Sequence, residues 1–221
     1  MLAAMPVQLR PGFGPSLPAL VRDRFGVAPR KTAIAVTAFV CALAGGAFLA
    51  WWLSRDPQLV HRGDPVFNLV YDDGALREAS PQGDELVRLE GSRGRVSVAV
   101  DVRPLSLPPY RGDVAKGLLP IQAERYMEGL RDRDPTFLIR EEGRSTVNES
   151  PGYQFAYRTG EPGARVYWRE IFVVPDEAAP RRGVIIRFEN RRPRRIGAPG
   201  FALVDAAKSA YRSFTFGTDR A

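Results

Sequence analysis

The chain has 221 residues, and its content of 44% hydrophobic and 26% charged residues is typical of a globular protein and argues against a disordered one. The net charge of +7 is uneven, because residues 1–55 carry six basic residues against Asp23, a net +5, and residues 56–221 carry the remaining +2. Since the positive charge is concentrated in the first quarter of the chain, we expect no nucleic-acid-binding face and no nucleic-acid partner.

Residues 1–31 are predicted to form a flexible basic tail on the cytoplasmic side of a membrane. Five prolines and three glycines interrupt this segment, and no hydrophobic periodicity survives between them. The arginines of such a tail would lie against anionic lipid headgroups.

Residues 32–53 are predicted to form a single transmembrane helix. None of these 22 residues is charged, and a helix of that length extends over about 33 Å, enough to cross the hydrocarbon core of a bilayer. Arg30 and Lys31 precede the segment, and Trp51 and Trp52 lie near its end, as is typical of residues at a membrane interface. The positive-inside rule then places the N-terminus in the cytoplasm and the C-terminal part of the chain outside the cell membrane.

A cleaved signal peptide is the alternative for this segment. Signal peptides have a hydrophobic core of about 7–15 residues behind a short basic region, and both parts are longer here. We therefore expect an uncleaved signal-anchor.

Four small residues recur at every fourth position of the predicted helix, at Ala38, Ala42, Gly46 and Ala50. This spacing lets two membrane helices approach closely and would suit a helix dimer. The alternative is an alanine-rich helix without a partner.

Residues 54–64 are predicted to be a connector, residues 65–217 an extracytoplasmic folded domain and residues 218–221 a short tail. Short turns at residues 72–74 and 82–84 are predicted to join the early strands of the domain as hairpins, which favours a mostly antiparallel sheet.

Strand patterns recur through this domain, most strictly where Val96, Val98, Val100 and Val102 alternate with other residues. Two segments, around residues 123–130 and 203–214, have the period of an amphipathic helix instead. These patterns predict an α+β domain of six or seven strands, with helices packed on the sheet.

The order of these elements resembles the PsbP-like family of αβα sandwiches, which includes the Ran-binding factor Mog and LpqN-type bacterial relatives. The stretches that carry the resemblance are FNLVYDDG, RVSVAVDV, GYQFAYRTG and AKSAYRSFTFG, which together cover nearly all of residues 65–217. Family members often have a proline and then a tryptophan after the first strand, where this chain has Asp72, Asp73, Gly74 and Leu76. The resemblance implies helices on both faces of the sheet and a module that binds or assembles.

The residues that commonly carry catalysis are sparse. Cys41 and His61 are the only cysteine and histidine, and they lie in the predicted membrane helix and the predicted connector, which excludes a Cys–His nucleophile and a cysteine metal site. The carboxylate pairs Asp72–Asp73 and Glu141–Glu142 fit a turn and an extended segment, where adjacent side chains diverge. We expect a non-enzymatic chain without metal or cofactor, and a carboxylate-dependent extracytoplasmic hydrolase is the alternative.

One dense basic run follows the last long strand pattern. Its arginines, Arg191, Arg192, Arg194 and Arg195, suit contact with an anion or an acidic partner, and a solvated loop is the alternative. Taken together, the sequence predicts a membrane-anchored binding or assembly module of the bacterial cell envelope. Its expected partners are the lipid bilayer and a protein or envelope component, with anion or envelope-polymer binding through these arginines as a further possibility.

Overall fold

The computed structural model describes residues 34, 36–46, 57–177, 179–193 and 196–218, and the chain divides into two compact units at residues 1–55 and 56–221. In the first unit residues 36–46 form helix α1, with exposed side chains. Among the residues described, no helix has the length and apolar character that a membrane span requires.

The predicted membrane features fall only partly within the described chain. Ala38, Ala42 and Gly46 lie at four-residue spacing along α1, as the dimer hypothesis requires. Ala50 and the predicted interface residues, Arg30, Lys31, Trp51 and Trp52, lie outside the described residues. The transmembrane helix and its dimer face stay predictions.

The second unit contains two antiparallel sheets. A seven-stranded sheet has the order β3-β4-β5-β9-β8-β7-β6, and a three-stranded sheet has the order β1-β2-β10. The strands are β1 Gln58–His61, β2 Phe67–Val70, β3 Arg77–Ala79, β4 Val87–Arg93, β5 Val96–Ser106, β6 Leu138–Val147, β7 Ser150–Thr159, β8 Val166–Val173, β9 Arg182–Arg191 and β10 Thr215–Phe216. A π-helical turn at Val114–Leu118 leads into helix α2, Leu119–Arg133, and helix α3 spans Ala198–Arg212. The α+β class and the antiparallel sheet are confirmed.

The two helices of this unit contribute to separate hydrophobic cores on opposite faces of the large sheet. Helix α3 packs on β4, β5 and β9, where the four alternating valines of β5 are buried with Leu203 and Val204. Helix α2 packs on β7, where Ala123 and Met127 are buried with Phe155. Each helix therefore covers a different part of the sheet, and the helices on both faces that the resemblance implied are present.

Because α2 packs on β7, the charged side chains that β4, β5 and β9 direct to the same face are not buried in its apolar core. Asp101, for example, alternates along β5 with Val100 and Val102, which belong to the core under α3. This face of the sheet is where the structure concentrates its buried charges.

Two predictions about the start of the domain are wrong. The residues Gln58–His61, predicted to lie in a connector, form strand β1 and pair with β2. The ring of His61 stacks on Phe67 at a centroid distance of 4.7 Å, so His61 belongs to the folded unit. The turn at residues 72–74 does not close a hairpin, because β2 pairs with β1 and β10 while β3 belongs to the large sheet. The turn at residues 82–84 does join a hairpin, β3 to β4.

Gly91 in β4 gives a direct test of how closely α3 packs on the sheet. A β-carbon at this position would lie 2.5 Å from the carbonyl oxygen of Ala75 and 2.7 Å from Cδ1 of Leu203 in α3. We expect Gly91→Ala to lower the free energy of unfolding by about 1–3 kcal/mol, since the added carbon forces the layers apart. Denaturant unfolding of the purified protein, followed by circular dichroism, measures this loss.

The matched control is Gly129→Ala in α2, where the added carbon would meet no atom within 4 Å beyond its chain neighbours and the backbone of its own helix. Removing a glycine from a helix interior should stabilise the protein, by up to about 1 kcal/mol. Equal unfolding midpoints for Gly91→Ala and the unaltered protein would contradict the close packing of Gly91 against Ala75 and Leu203.

Candidate functional site

Two buried carboxylates and three arginines form a cluster on the face of the sheet beside α2. The strand register places Asp101 of β5 opposite Arg88 of β4 and Arg187 of β9. The side chains of Asp101 and Glu85 are each 1% exposed. Burial raises the pKa of Asp101 above its usual range, and the contacts from Arg187 and Arg103 oppose that rise.

The arginines occupy the oxygens of both carboxylates. Asp101 accepts hydrogen bonds from Nε of Arg187 at 2.8 Å and from Nε of Arg103 at 2.9 Å. Oε1 of Glu85 accepts from Arg88, Arg103 and Arg187 at 3.0, 3.1 and 3.0 Å. Oε2 of Glu85 accepts from the backbone N–H of Gln82 at 2.9 Å. The carboxylates converge on arginines, an arrangement that suits a structural ion-pair network better than general acid–base chemistry.

The two carboxylate pairs of the sequence do not converge on a common point. Asp72 accepts a hydrogen bond from the backbone N–H of Gly74 at 2.9 Å, as expected of a turn. Glu141 and Glu142 are successive residues of β6, paired with Ala156 and Phe155, so their side chains point to opposite faces of the sheet. Neither pair forms a two-carboxylate site in the described chain.

A third buried carboxyl, Glu170 of β8, lies opposite Arg187 of the arginine cluster in the strand register but forms no ion pair with it. It is 0% exposed, and its Oε1 accepts a hydrogen bond from the Tyr157 hydroxyl at 3.0 Å. Within the described residues its Oε2 has no hydrogen-bond partner. Burial raises the pKa of Glu170 to about 8, although Arg187 acts against this rise, so the carboxyl is largely protonated at neutral pH.

Sequence reasoning missed Glu170, although a signal was present. Glu170 lies in phase with Trp168 and Phe172, two residues away on either side, on a face of the strand that is otherwise apolar. An acidic residue on the buried side of a central strand is rare and indicates a neutral or paired carboxyl.

A pocket of about 250 Å³ at one end of the large sheet collects arginines from three chain segments. Its lining includes Arg95 from the turn between β4 and β5, Arg165 from the turn between β7 and β8, and Arg191 and Arg192 from the end of β9. The register explains the convergence, because Arg191 pairs with Ser97 of β5 on one side and with Val166 of β8 on the other. No acidic side chain lines this pocket in the part of the chain that the structure describes.

The predicted basic run therefore supplies only two of the four arginines that line this pocket in the described chain. Arg191 donates to Glu189, and the guanidinium of Arg192 lies 4.8 Å from the centre of the Tyr167 ring. Arg194 and Arg195 lie outside the described residues. Arg95 and Arg165, which the sequence did not single out, make no ion pair with any other described residue.

A second and larger depression, of about 570 Å³, adjoins this pocket through Arg191. Its charged lining has both signs, with Arg77, Arg88, Arg93 and Arg191 facing Asp73, Glu90 and Glu189. Arg88 and Arg191 are held by ion pairs to Glu90 and Glu189, which leaves this depression less electropositive than the arginine pocket.

Comparisons with known proteins give similarities of fold alone. No protein-family model and no curated protein matches the chain. Among solved structures, it is similar to LpqN, involved in cell envelope biogenesis of Mycobacterium tuberculosis, with 13% identity, a TM-score of 0.46 and coverage of 73% of this chain and 91% of that one. It is similar to the cyanobacterial PsbP of Synechocystis, with 11% identity, a TM-score of 0.49 and coverage of 74% and 94%.

A protein from Bacteroides thetaiotaomicron is also similar, with 7% identity, a TM-score of 0.43 and coverage of 75% of this chain and 50% of that one. None of these three structures is Mog, so the resemblance to Mog stays a prediction. At these identities the similarities assign no partner and no activity to this chain.

Proposed function

We propose that this chain is a single-pass membrane protein whose C-terminal domain works outside the cytoplasm as a non-catalytic binding or assembly module of the bacterial cell envelope. The proposed anchor rests on the uncharged segment at residues 32–53, with basic residues before it and two tryptophans near its end.

The observation that favours a binding role is the contrast between the buried and the exposed charges of the domain. The carboxylates of Glu85 and Asp101 are hydrogen-bonded to arginines, while Arg95 and Arg165 lie exposed or half-buried beside a pocket without ion-pair partners in the described chain. The guanidinium groups of Arg95 and Arg165 can therefore donate hydrogen bonds to a ligand, whereas Glu85 and Asp101 do not form a pair of free carboxylates for catalysis.

The topology can be tested with reporters fused after Ala221. We expect an alkaline phosphatase fusion to be active and a green fluorescent protein fusion to be dark, because the first folds outside the cytoplasm and the second inside. Deletion of residues 32–53 is the control and should reverse both signals. A fluorescent fusion of the full chain together with an inactive phosphatase fusion would contradict the proposed location.

The binding role is tested by crosslinking intact cells and purifying the tagged chain with the components attached to it. We expect the same crosslinked component in repeated experiments. Deletion of residues 32–53 should remove the chain from the envelope, and the crosslinked component should then be lost. Recovery of cytoplasmic components alone would count against an envelope module.

A further inference from the structure

We propose that the arginine pocket, lined by Arg95, Arg165, Arg191 and Arg192, binds a phosphate group. This inference rests on the proposed binding role of the domain and specifies the chemistry of its ligand. Two turns and a strand end supply the four arginines, and the strand order of the large sheet brings them together.

The first argument is uncompensated charge. Of the four arginines, Arg191 is paired with Glu189 and Arg192 lies on the ring of Tyr167, an arrangement that holds a guanidinium without neutralising it. Arg95 and Arg165 have no acidic partner among the described residues. The pocket therefore keeps about three positive charges that no described residue neutralises.

The second argument is the match between ligand and site. A phosphate monoester or pyrophosphate carries more charge than a carboxylate and has several oxygens that can accept from different guanidinium groups at once. Four arginines from three chain segments suit such a multi-oxygen anion better than a single planar carboxylate. The pocket volume of about 250 Å³ accommodates a phosphate group together with water.

The test uses the full chain in a nonionic detergent and pyrophosphate as the probe, with binding followed by phosphorus NMR. We expect saturable binding that weakens as salt is added, because the attraction is electrostatic. Arg95→Gln and Arg165→Gln are each expected to weaken binding about tenfold or more, since each removes charge-assisted hydrogen bonds. Neither side chain makes an ion pair in the described structure, so both variants should fold.

The matched control is Arg111→Gln, which removes the same charge from an exposed position between β5 and α2. Its affinity for pyrophosphate should equal that of the unaltered chain. Loss of affinity in all three variants alike would indicate a general charge effect and overturn the pocket, as would absence of binding or unaltered binding in Arg95→Gln and Arg165→Gln.

Two sources of phosphate are separated with the chain in lipid nanodiscs of equal surface charge, one set containing phosphatidylglycerol and the other oleate. Weaker pyrophosphate binding in the phosphatidylglycerol discs indicates that lipid headgroups occupy the pocket, and equal binding indicates a soluble or polymeric phosphate. A chain that does not enter the discs but binds pyrophosphate in detergent contradicts the membrane anchor and leaves the pocket supported.

Discussion

Replacing Glu170 with glutamine is expected to stabilise the protein at pH 8 and to change its stability little near pH 5. Because the carboxyl is fully buried, its pKa in the folded protein is about 8. The ordinary pKa of a glutamate carboxyl, which applies to the unfolded chain, is 4.5. Between these two pH values the unfolded chain releases the proton and the folded protein keeps it. In this range the free energy of unfolding therefore falls by about 1.4 kcal/mol for each pH unit. Because glutamine does not ionise, the Glu170→Gln variant should not show this fall.

The measurement is the free energy of unfolding in urea, determined between about pH 5 and pH 8 for the unaltered protein and for Glu170→Gln. The difference between the two should grow steadily with pH. Glu161→Gln, at an exposed turn position, is the control and should follow the unaltered protein. Parallel pH profiles for Glu170→Gln and the unaltered protein would show that the folded state does not hold this carboxyl neutral.

Substituting Asp101 with asparagine is expected to destabilise the protein by about 3–5 kcal/mol, because it removes one of the two buried anions that contact three largely buried arginines. Arg88 and Arg103 would keep Glu85 together with the more exposed Glu90 and Asp84, but the remaining ion pair of Arg187 in the described chain would be with Glu85 alone. The side chains of Arg88, Arg103 and Arg187 are 11%, 21% and 18% exposed. Charges held this far from water are poorly compensated by solvent. Urea unfolding at neutral pH measures the loss.

A double-mutant cycle with Arg187→Gln separates charge imbalance from lost packing. Removing a cation together with the anion restores the balance, so the double variant should lose less stability than the sum of the two single losses. The exposed pair of Arg169 and Glu141 is the reference, and Glu141→Gln there should cost at most about 1 kcal/mol. Strict additivity of Asp101→Asn and Arg187→Gln would contradict direct coupling across the strands.

The parts of the fold that could be predicted from the sequence are those determined by local pattern. The alternating valines of β5 identify a strand and its buried face, and the apolar residues of α2 and α3 identify the helix faces, because these periods repeat along a single element. Which strand pairs with which is not determined by local pattern, because the partner can lie far away in the chain. Strand β1 has only four residues and was missed, and β2 was predicted to pair forward across a turn although it pairs with β1 and β10.

The same distinction applies to the candidate site. Arg191 and Arg192 are visible in the sequence because the basic residues there are consecutive. Arg95 and Arg165 lie in separate turns, about 100 and 30 residues earlier in the chain, and only the order of strands in the sheet places them beside the other two. The cluster around Asp101 is likewise a product of register, since its partner Arg187 is 86 residues away.

Strand β6 has a consequence for how other molecules can approach the domain. It is the last strand of the large sheet, ten residues long, with a break in its pairing register between Ile139 and Glu141. Bulges and charged side chains on an outer strand oppose the addition of a further strand from another chain. Here Arg140, Glu141, Glu142 and Arg144 supply the charges. This edge of the large sheet is thereby protected from pairing with a strand of another chain, so we expect a partner that binds here to contact side chains rather than to extend the backbone ladder.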